Sequence, residues 1–425
     1  MKFTRKHSVD QRLDQMTEKH VIVGIDIAKD KHAARMTNFR GRTLTPRHYA
    51  FTNDAHGFEQ LLQWLNQAMQ KHCLSTAIVG MEPTGHYWFN LAHWLLERGI
   101  KVVLVNPALT RRHKEDRDNS PAKNDPKDAL VIADVVTRGY YTEYTPQDER
   151  FGRLKSAVLH RDMLVRNQTQ TGNRIVRWID LYFPEYSTVF KNWDGVRSLA
   201  TLKSLQLPKE LRRWSVDDFI RHWGEQGLQR PGGVSGRKRA AELIQAASGS
   251  IGDCRAPEEA ILTLSHLLEM YELGKRQIEA VDQRLEELLR DLPQAEQLAS
   301  LGSGMGPTVQ AALLGLAGDL SSYRHGNQLL NRAGLSLATQ RSGTYKGQVK
   351  LTKRGDSLLR KVLFLAVLCL VKDHPEFKTC HERNQAQGMA RKKSIICLIG
   401  KLARMLVAMA NKGERYRPNL ESNAA

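Results

Sequence analysis

The chain has 425 residues, 41% hydrophobic and 26% charged, the balance of a folded protein rather than a disordered or fibrous one. Domains run to roughly 100–200 residues, so two or three are expected and a mini-scaffold is excluded. Lys and Arg number 64 against 45 Asp and Glu, a net charge of +19, which points to a polyanionic partner: nucleic acid before a membrane surface, because no polybasic tail adjoins an apolar anchor.

Residues 1–20 are polar and mixed in charge and read as a tail with no apolar signal core. The short apolar run 21–27, VIVGIDI, closes on Asp26 and fits a buried strand. Residues 31–37 and 43–51 read as two more strands around the turn Asn38-Phe39-Arg40-Gly41, together a hairpin meander. After Asp54, an N-cap, Phe58, Leu61, Leu62 and Leu65 recur at helical spacing. Residues 76–81 then read as a strand, 86–98 as a helix and 101–105 as a strand. The alternation predicts a sheet with helices on its faces. Residues 106–124 have little periodicity and many basic residues, and a helix resumes after Asp125-Pro126.

Beyond a linker at 140–148 the pattern changes to long helices. Leu264, Leu267, Tyr271, Ile278, Val281, Leu285 and Leu288 fit a and d heptad positions, with Gly274 the only break. About three and a half heptads serve an intramolecular bundle and an intermolecular seam equally well. Residues 184–257 hold three of the seven tryptophans and a Pro-Gly-Gly turn, and carry no assignable chemistry. Near residue 299 a third region opens, where the turn LGSGMGP (301–307) feeds the apolar helix 309–316 with Pro307 at its first position.

The longest apolar run, 362–371, is far short of the ~20 residues of a spanning helix, so no membrane partner and a cytoplasmic location are expected. Five cysteines, Cys73, Cys254, Cys369, Cys380 and Cys397, are scattered and never form a CxxC pair. Neither a disulfide framework nor a zinc site is indicated. Cys73, Cys369 and Cys397 read as buried fillers.

Asp26 and Glu82 each close an apolar strand, where an α/β sheet puts its ligand site. Asp125 and Asp128, spaced i, i+3, share one helix face. Four converging carboxylates would repel one another unless divalent cations neutralised them, and hard oxygen ligands select Mg²⁺ or Mn²⁺. Paired ions about 3.5–4 Å apart activate an attacking oxygen and stabilise a leaving one at a phosphodiester. Blander readings exist for each residue. Asp125-Pro126-Lys127-Asp128 is also a good helix start, Asp26 a strand-end acid, and Glu82 before Pro83 a turn acid. The order of strand Asp, second-strand Glu and helical Asp pair resembles RuvC-type nucleases of the RNase H-like class. An actin-like ATPase or sugar kinase would also open on a strand Asp, but a phosphate-holding Gly and Ser or Thr should follow, and here Ala28-Lys29-Asp30 does.

Residues 340–347, QRSGTYKG, read as a basic loop. Arg341, Lys346, Lys350, Lys353, Arg354, Arg360 and Lys361 face only Asp356 in twenty-one residues, a composition fit to meet phosphate. A serine followed by glycine, as at Ser342, exposes its Oγ for attack on a phosphodiester. Most Ser-Gly pairs, however, are turns.

The segments GIDIAKDKH (24–32), MEPTGHYW (81–88), VNP (105–107), KNDPKDA (123–129), LGSGMGP (301–307), NRAGLSLATQRSG (331–343) and LTKRGDSLLRKVLF (351–364) together resemble one family. It is that of the DEDD-type insertion-sequence transposases related to the Piv and MooV DNA invertases, described as bridge-RNA-guided serine recombinases. The resemblance implies that Asp26, Glu82, Asp125 and Asp128 are the metal-binding tetrad and Ser342 the nucleophile. It further implies a composite site shared between protomers, a covalent 5′-phosphoserine, and a structured guide RNA that pairs with donor and target DNA. Two departures stand out: Gln310 where a helix-hairpin-helix phosphate loop has a small residue, and a single Ser342 where some relatives carry a serine pair.

The expected architecture is an α/β RNase H-like (RuvC-type) domain at 21–145 after a tail at 1–20. A helical region with a coiled coil at 146–295, a small mostly α-helical transposase domain at 296–412 and a tail at 413–425 follow. The expected activity is RNA-guided DNA recombination and transposition by a dimer or tetramer, bacterial and nucleoid-associated, with Mg²⁺ or Mn²⁺. Arg341, Lys346, Lys350, Lys353 and Arg354 are expected to bind nucleic acid. Two alternatives are a metal-dependent RuvC-like resolvase or nuclease that hydrolyses and never ligates, and a non-catalytic nucleic-acid scaffold. The first has no need of Ser342, and the second no need of the carboxylates.

Overall fold

The structure, a computed structural model, describes residues 4–118, 125–146, 148–204, 207–252, 255–302, 304–342 and 345–417; the side chains of 4–8, 115–118, 125–126, 204, 339–342 and 345–348 lie outside the description. The chain divides into two units, Met1–Pro146 and Gln147–Ala425.

The first unit runs α1 (Thr4–Gln15), β1 (His20–Asp26), β2 (Lys31–Asn38), β3 (Tyr49–Thr52), α2 (Ala55–Lys71), β4 (Thr76–Met81), α3 (Trp88–Glu97), β5 (Lys101–Val105), α4 (Pro107–Asp118), α5 (Asp125–Thr137) and β6 (Tyr141–Glu143). Its six strands form a mixed sheet ordered β3-β2-β1-β4-β5-β6. The centre, β1-β4-β5, is parallel, and β2, β3 and β6 run antiparallel to their neighbours. The centre is parallel because its strands are unbroken apolar runs, which suit burial on both faces. Val21, Val23, Ile25, Val79 and Met81 pack with Leu61 of α2 and Leu91 of α3. Ile22, Ile78 and Val103 point the other way, onto Ile132 and Val136 of α5. Asp54 caps α2 by accepting from the Gly57 amide at 2.7 Å.

Four stretches differ from expectation. Residues 4–15 of the supposed tail form α1, held by Val9 and Leu13 against Gly139 and by Arg12, whose guanidinium donates to the Gly139 and Tyr141 carbonyls at 3.2 and 2.5 Å. Of the strand expected over 43–51, only Tyr49–Thr52 pairs as a strand, with a lone bridge from Thr43 to Thr37; Pro46 lacks the amide a ladder needs. The linker supplies β6 on the open edge of β5. The polar stretch after Asn106 is helical, as α4.

The second unit is mostly helical: α6 (Glu149–Tyr182), α7 (Tyr186–Val189), α8 (Val196–Ser204), α9 (Pro208–Leu211), α10 (Val216–Glu225), α11 (Val234–Ser248), α12 (Pro257–Arg290), α13 (Pro293–Ala299), α14 (Pro307–Ala317), α15 (Gly326–Arg332), the hairpin β7 (Leu337–Ser342) and β8 (Tyr345–Leu351), then α16 (Ser357–Asp373), α17 (Pro375–Ala386) and α18 (Arg391–Lys412). The heptad helix α12 finds its partner in the same chain. It runs antiparallel to α6, tied by Arg161 to Asp282, by Gln168 Nε2 to the Tyr271 carbonyl (3.0 Å) and by Trp178 Nε1 to the Ala260 carbonyl (2.8 Å). One end of this pair joins the core of α14 and α16–α18. The other end carries α7–α11, the stretch without assigned chemistry, as a helical cluster built around Trp223, Phe219 and Tyr186.

By length and composition α18 could cross a membrane, yet half its apolar window is buried, and Ile395, Leu398, Leu402 and Leu406 belong to the C-terminal core. Cys73, Cys369 and Cys397 are exposed rather than buried. Cys73 follows the end of α2 with φ +53°, and the other two fall on the outer faces of α16 and α18.

Candidate active site

Strand alternation decides where the first two carboxylates go. Side chains two apart share a face, so Asp26 lies on the face of Ile22 and Gly24, and Glu82, following Met81, on that of Ile78 and Gly80. This is the α5 face. β1 and β4 are parallel with Ile25 opposite Met81, so the next positions, Asp26 and Glu82, come level at the carboxyl ends of adjacent strands. Neighbouring strands are about 4.8 Å apart.

Helix α5 brings the third. A Cβ on Gly24 would lie 2.0 Å from the Ala129 carbonyl oxygen and 2.5 Å from the Ala133 nitrogen. Only glycine lets the helix backbone rest on β1 at this point. Asp128, the residue before Ala129, is thereby carried to the same end of the sheet. The Asp125 backbone begins α5, and its side chain lies outside the described residues.

Two residues of α4 hold these acids. Asn106 opens the helix, its side chain accepting from the Ala108 amide at 2.9 Å. One turn on, Thr110 Oγ1 donates to Glu82 Oε2 at 2.6 Å and also contacts the Pro107 carbonyl at 2.9 Å. A further turn on, Lys114 Nζ pairs with Asp128 Oδ2 at 2.5 Å. Neither Thr110 nor Lys114 was legible as a site residue, although Asn106-Pro107, an N-cap followed by proline, signals the helix that carries them. Among the described residues no three His, Cys, Asp or Glu side chains are gathered closely enough to hold a metal ion. The donors on this face are nonetheless hard oxygens, the kind that suits Mg²⁺ or Mn²⁺.

In the second unit the basic segment is a hairpin, not a loop. Ser342 is the last residue of β7, opposite Tyr345, and Arg341 is opposite Lys346, beyond an irregularity after Thr339. Gly343 and Thr344 lie outside the described residues, as do the side chains of Ser342, Arg341 and Lys346. Five strand steps separate Leu337 from Ser342, about 17 Å. The hairpin base is closed backbone to backbone. The Lys353 amide donates to the Gly334 carbonyl at 2.9 Å and the Asp356 amide to the Arg332 carbonyl at 2.7 Å. A Cβ on Gly355 would lie 2.4 Å from the Gly334 nitrogen. Arg360 adds a bond to the Ala333 carbonyl at 2.7 Å. Lys350, Lys353 and Arg354 are exposed along this base. The unusual Gln310 is buried, its amide donating to the Met305 carbonyl at 2.5 Å, and so closes the 301–307 turn.

These two constellations coincide with two family matches. A DEDD transposase model of the IS110 type matches residues 23–184, containing all four carboxylates, and a model described as "Transposase IS116/IS110/IS902 family" matches residues 295–382, containing Ser342. The chain belongs to this transposase family. It is an enzyme that cuts and rejoins DNA. The transposase is 24% identical to the insertion element IS116 44.8 kDa protein of Streptomyces clavuligerus, over 95% of this chain and 98% of the relative. It is 22% identical to the pilin gene-inverting protein of Moraxella lacunata, over 93% and 97%. It is also 22% identical to the insertion element IS900 42 kDa protein of Mycobacterium paratuberculosis, over 95% and 99%. Neither family model reaches the α7–α11 cluster.

Proposed function

We propose that this transposase is an RNA-guided DNA recombinase that mobilises an insertion sequence through a covalent 5′-phosphoserine on Ser342. Its composite site is completed by Asp26, Glu82, Asp125 and Asp128. One observation carries the reading: carboxylates level on one sheet face in one matched segment, and a serine ending a basic hairpin strand in the other. The strand order, with a parallel centre and antiparallel arms, supports an RNase H-like, RuvC-type fold. The domain limits of this reading are 21–145, with the α1 segment before it, 146–295 and 296–412, with a tail at 413–425.

Asp26, Glu82, Asp125 and Asp128 would hold Mg²⁺ or Mn²⁺. Bound there, such a cation offsets the charge of a phosphodiester and polarises its oxygens. In the cleavage step Ser342 Oγ bonds to phosphorus as the bond from phosphorus to the 3′ oxygen breaks. The serine loses its proton, a 3′-hydroxyl is released, and the phosphoserine keeps the bond energy for rejoining. Arg341, Lys346, Lys350, Lys353 and Arg354 offset phosphate charge on the hairpin. The charge of +19 exceeds the need of one DNA site and supports a structured guide RNA. Sharing Ser342 and the carboxylates between protomers requires a dimer or tetramer. Inversion, named for the Moraxella relative, needs the same cutting and rejoining. A DNA substrate of this kind puts the enzyme in the bacterial cytoplasm, at the nucleoid.

The test is a denaturing gel of protein incubated with labelled DNA, guide RNA and Mg²⁺. Wild type should leave a fraction of DNA attached to protein. Ser342→Ala and Asp128→Asn should each lose cleavage and adduct while still binding RNA, and a mixture of the two should recover part of the activity. Cutting by Ser342→Ala at an unchanged rate would establish the hydrolytic resolvase instead. Full recombination by nuclease-treated protein without added RNA would remove the guide.

A further inference from the structure

We propose that Lys114 is a positioning residue that stands in for the divalent ion, holding Asp128 until the ion displaces it. This rests on the reading of Asp26, Glu82, Asp125 and Asp128 as metal ligands. Thr110 and Lys114 are four residues apart on α4 and so share a face, from which each grips one acid of the sheet end. The two grips differ in kind. Thr110 is buried, 3% exposed, and its neutral hydroxyl bond to Glu82 carries no charge that an incoming cation would oppose. Lys114 brings a full positive charge to Asp128 Oδ2. An ion bound to oxygen at about 2.0–2.1 Å cannot share that oxygen with an ammonium in direct contact. One must leave.

The exposures say which. The Asp128 side chain is 14% exposed and that of Lys114 38%, so the lysine head re-enters water at lower cost than the carboxylate and swings out on its flexible stem. Helix α4 itself has a separate anchor, since the His113 ring stacks on Tyr140 with centroids 6.4 Å apart. The pair therefore opens at the side chain while the helix stays. Without Lys114, Asp128 would lose this cation in the ion-free protein.

A competitor, a ligand and a scaffold residue give different signs when removed. Mn²⁺ alone is titrated into the full nucleic-acid-free chain and followed by the loss of its free-ion paramagnetic resonance signal. Lys114→Met keeps the apolar stem and removes the charge. It should bind Mn²⁺ about 1.5- to 5-fold more tightly than wild type, the range an exposed ion pair supports. Its melting temperature in EDTA should fall, and added Mn²⁺ should raise it by more than in wild type. Asp128→Asn should lose most Mn²⁺ binding. Where circular dichroism shows that Lys114→Met has not folded, Lys114→Gln carries the same test. Unchanged or weaker Mn²⁺ affinity in the folded lysine variant, with Asp128→Asn defective, overturns the exchange and leaves the metal site standing. Wild-type affinity in Asp128→Asn overturns both.

Discussion

Gly24 lies two residues before Asp26, and its replacement by alanine tests whether backbone contact between β1 and α5 positions the acids. In most central strands the change would be neutral or stabilising, because glycine loses more freedom on folding. Here the added Cβ meets the Ala129 carbonyl oxygen at 2.0 Å, whereas ordinary contact begins at 3.4 Å. The helix must retreat by about 3.4 − 2.0 = 1.4 Å, close to the ~1.5 Å rise of one helical residue. Asp128 precedes Ala129 and moves with it, away from Asp26 and Glu82. Overpacking of this kind costs about 1–3 kcal/mol, and a misplacement of ~1 Å at a reacting centre costs on the order of 10²-fold in rate. Single-turnover cleavage in Mg²⁺ should therefore fall about a hundredfold in Gly24→Ala, and the melting temperature of the N-terminal unit should drop by roughly 4–8 °C. Gly80→Ala is the internal comparison. Its Cβ would meet Val136 Cγ2 at 2.5 Å, a side-chain methyl eight residues along α5 from Asp128 rather than main chain beside it, so cleavage should fall less. Cleavage by Gly24→Ala within threefold of wild type would refute the argument.

Two other outcomes follow from buried polar groups. His32 is 1% exposed between Phe51 and Phe58, with Nδ1 accepting from the Ala28 amide at 3.2 Å; burial holds its pKa below the usual 6.5. The unfolded chain then binds more protons in the window below about 6.5, so this stability is complete above that pH and is lost as pH falls toward the lowered folded value. Melting at pH 7.5 and 5.5 should show a smaller pH slope in His32→Gln; an unchanged slope would show that His32 contributes nothing, since His374, also lowered by burial, is untouched. Ser394, fully buried, bonds His381 Nδ1 at 2.8 Å and Asn384 Nδ2 at 3.0 Å. Ser394→Ala leaves both partners short of a bond and should cost about 1–3 kcal/mol in chemical denaturation; a cost below ~0.5 kcal/mol would mean that they find other partners.

The parts of the fold legible in the sequence are those whose residues see a uniform environment. Residues 76–81 and 101–105 match β4 and β5 at both ends, because a central parallel strand is apolar on both faces and its limits show as the limits of the run. Beyond its Asn106-Pro107 start, helix α4 was illegible for the opposite reason. It has no apolar stripe, and the side-chain bonds that hold it go to Glu82 and Asp128, residues 28 and 14 positions away. The hairpin was read as a loop because its cations and glycines dominate the local composition, while pairs such as Leu337 with Leu351 are not local in sequence. The error at Cys369 and Cys397 has the same root: a small, weakly polar side chain takes the face its helix allots to it. Asp26 and Glu82 were legible as strand-end acids, and the order of acids along the chain pointed to their company. Thr110 and Lys114 were not, since nothing in their own neighbourhood marks their partners.

Asp26 and Ser342, the groups proposed to react, are both placed by backbone approaching backbone. Gly24 sets α5 on β1 two positions before Asp26, and Gly334, with φ +69°, meets Gly355 eight positions before Ser342. A side chain at either point would not touch substrate. It would move the element that carries the reactive residue, by an amount set by main-chain contacts, which have no rotamer through which to relax. Substitutions at Gly24, Gly334 and Gly355 should for that reason lose activity in proportion to the shift they force, not to the polarity they introduce. Lys350, Lys353 and Arg354 should behave in the reverse manner: their main chain belongs to the hairpin and its base, but they are exposed, so they respond to charge rather than size, and replacement by glutamine should weaken nucleic-acid binding and lower its salt dependence while leaving the melting temperature unchanged.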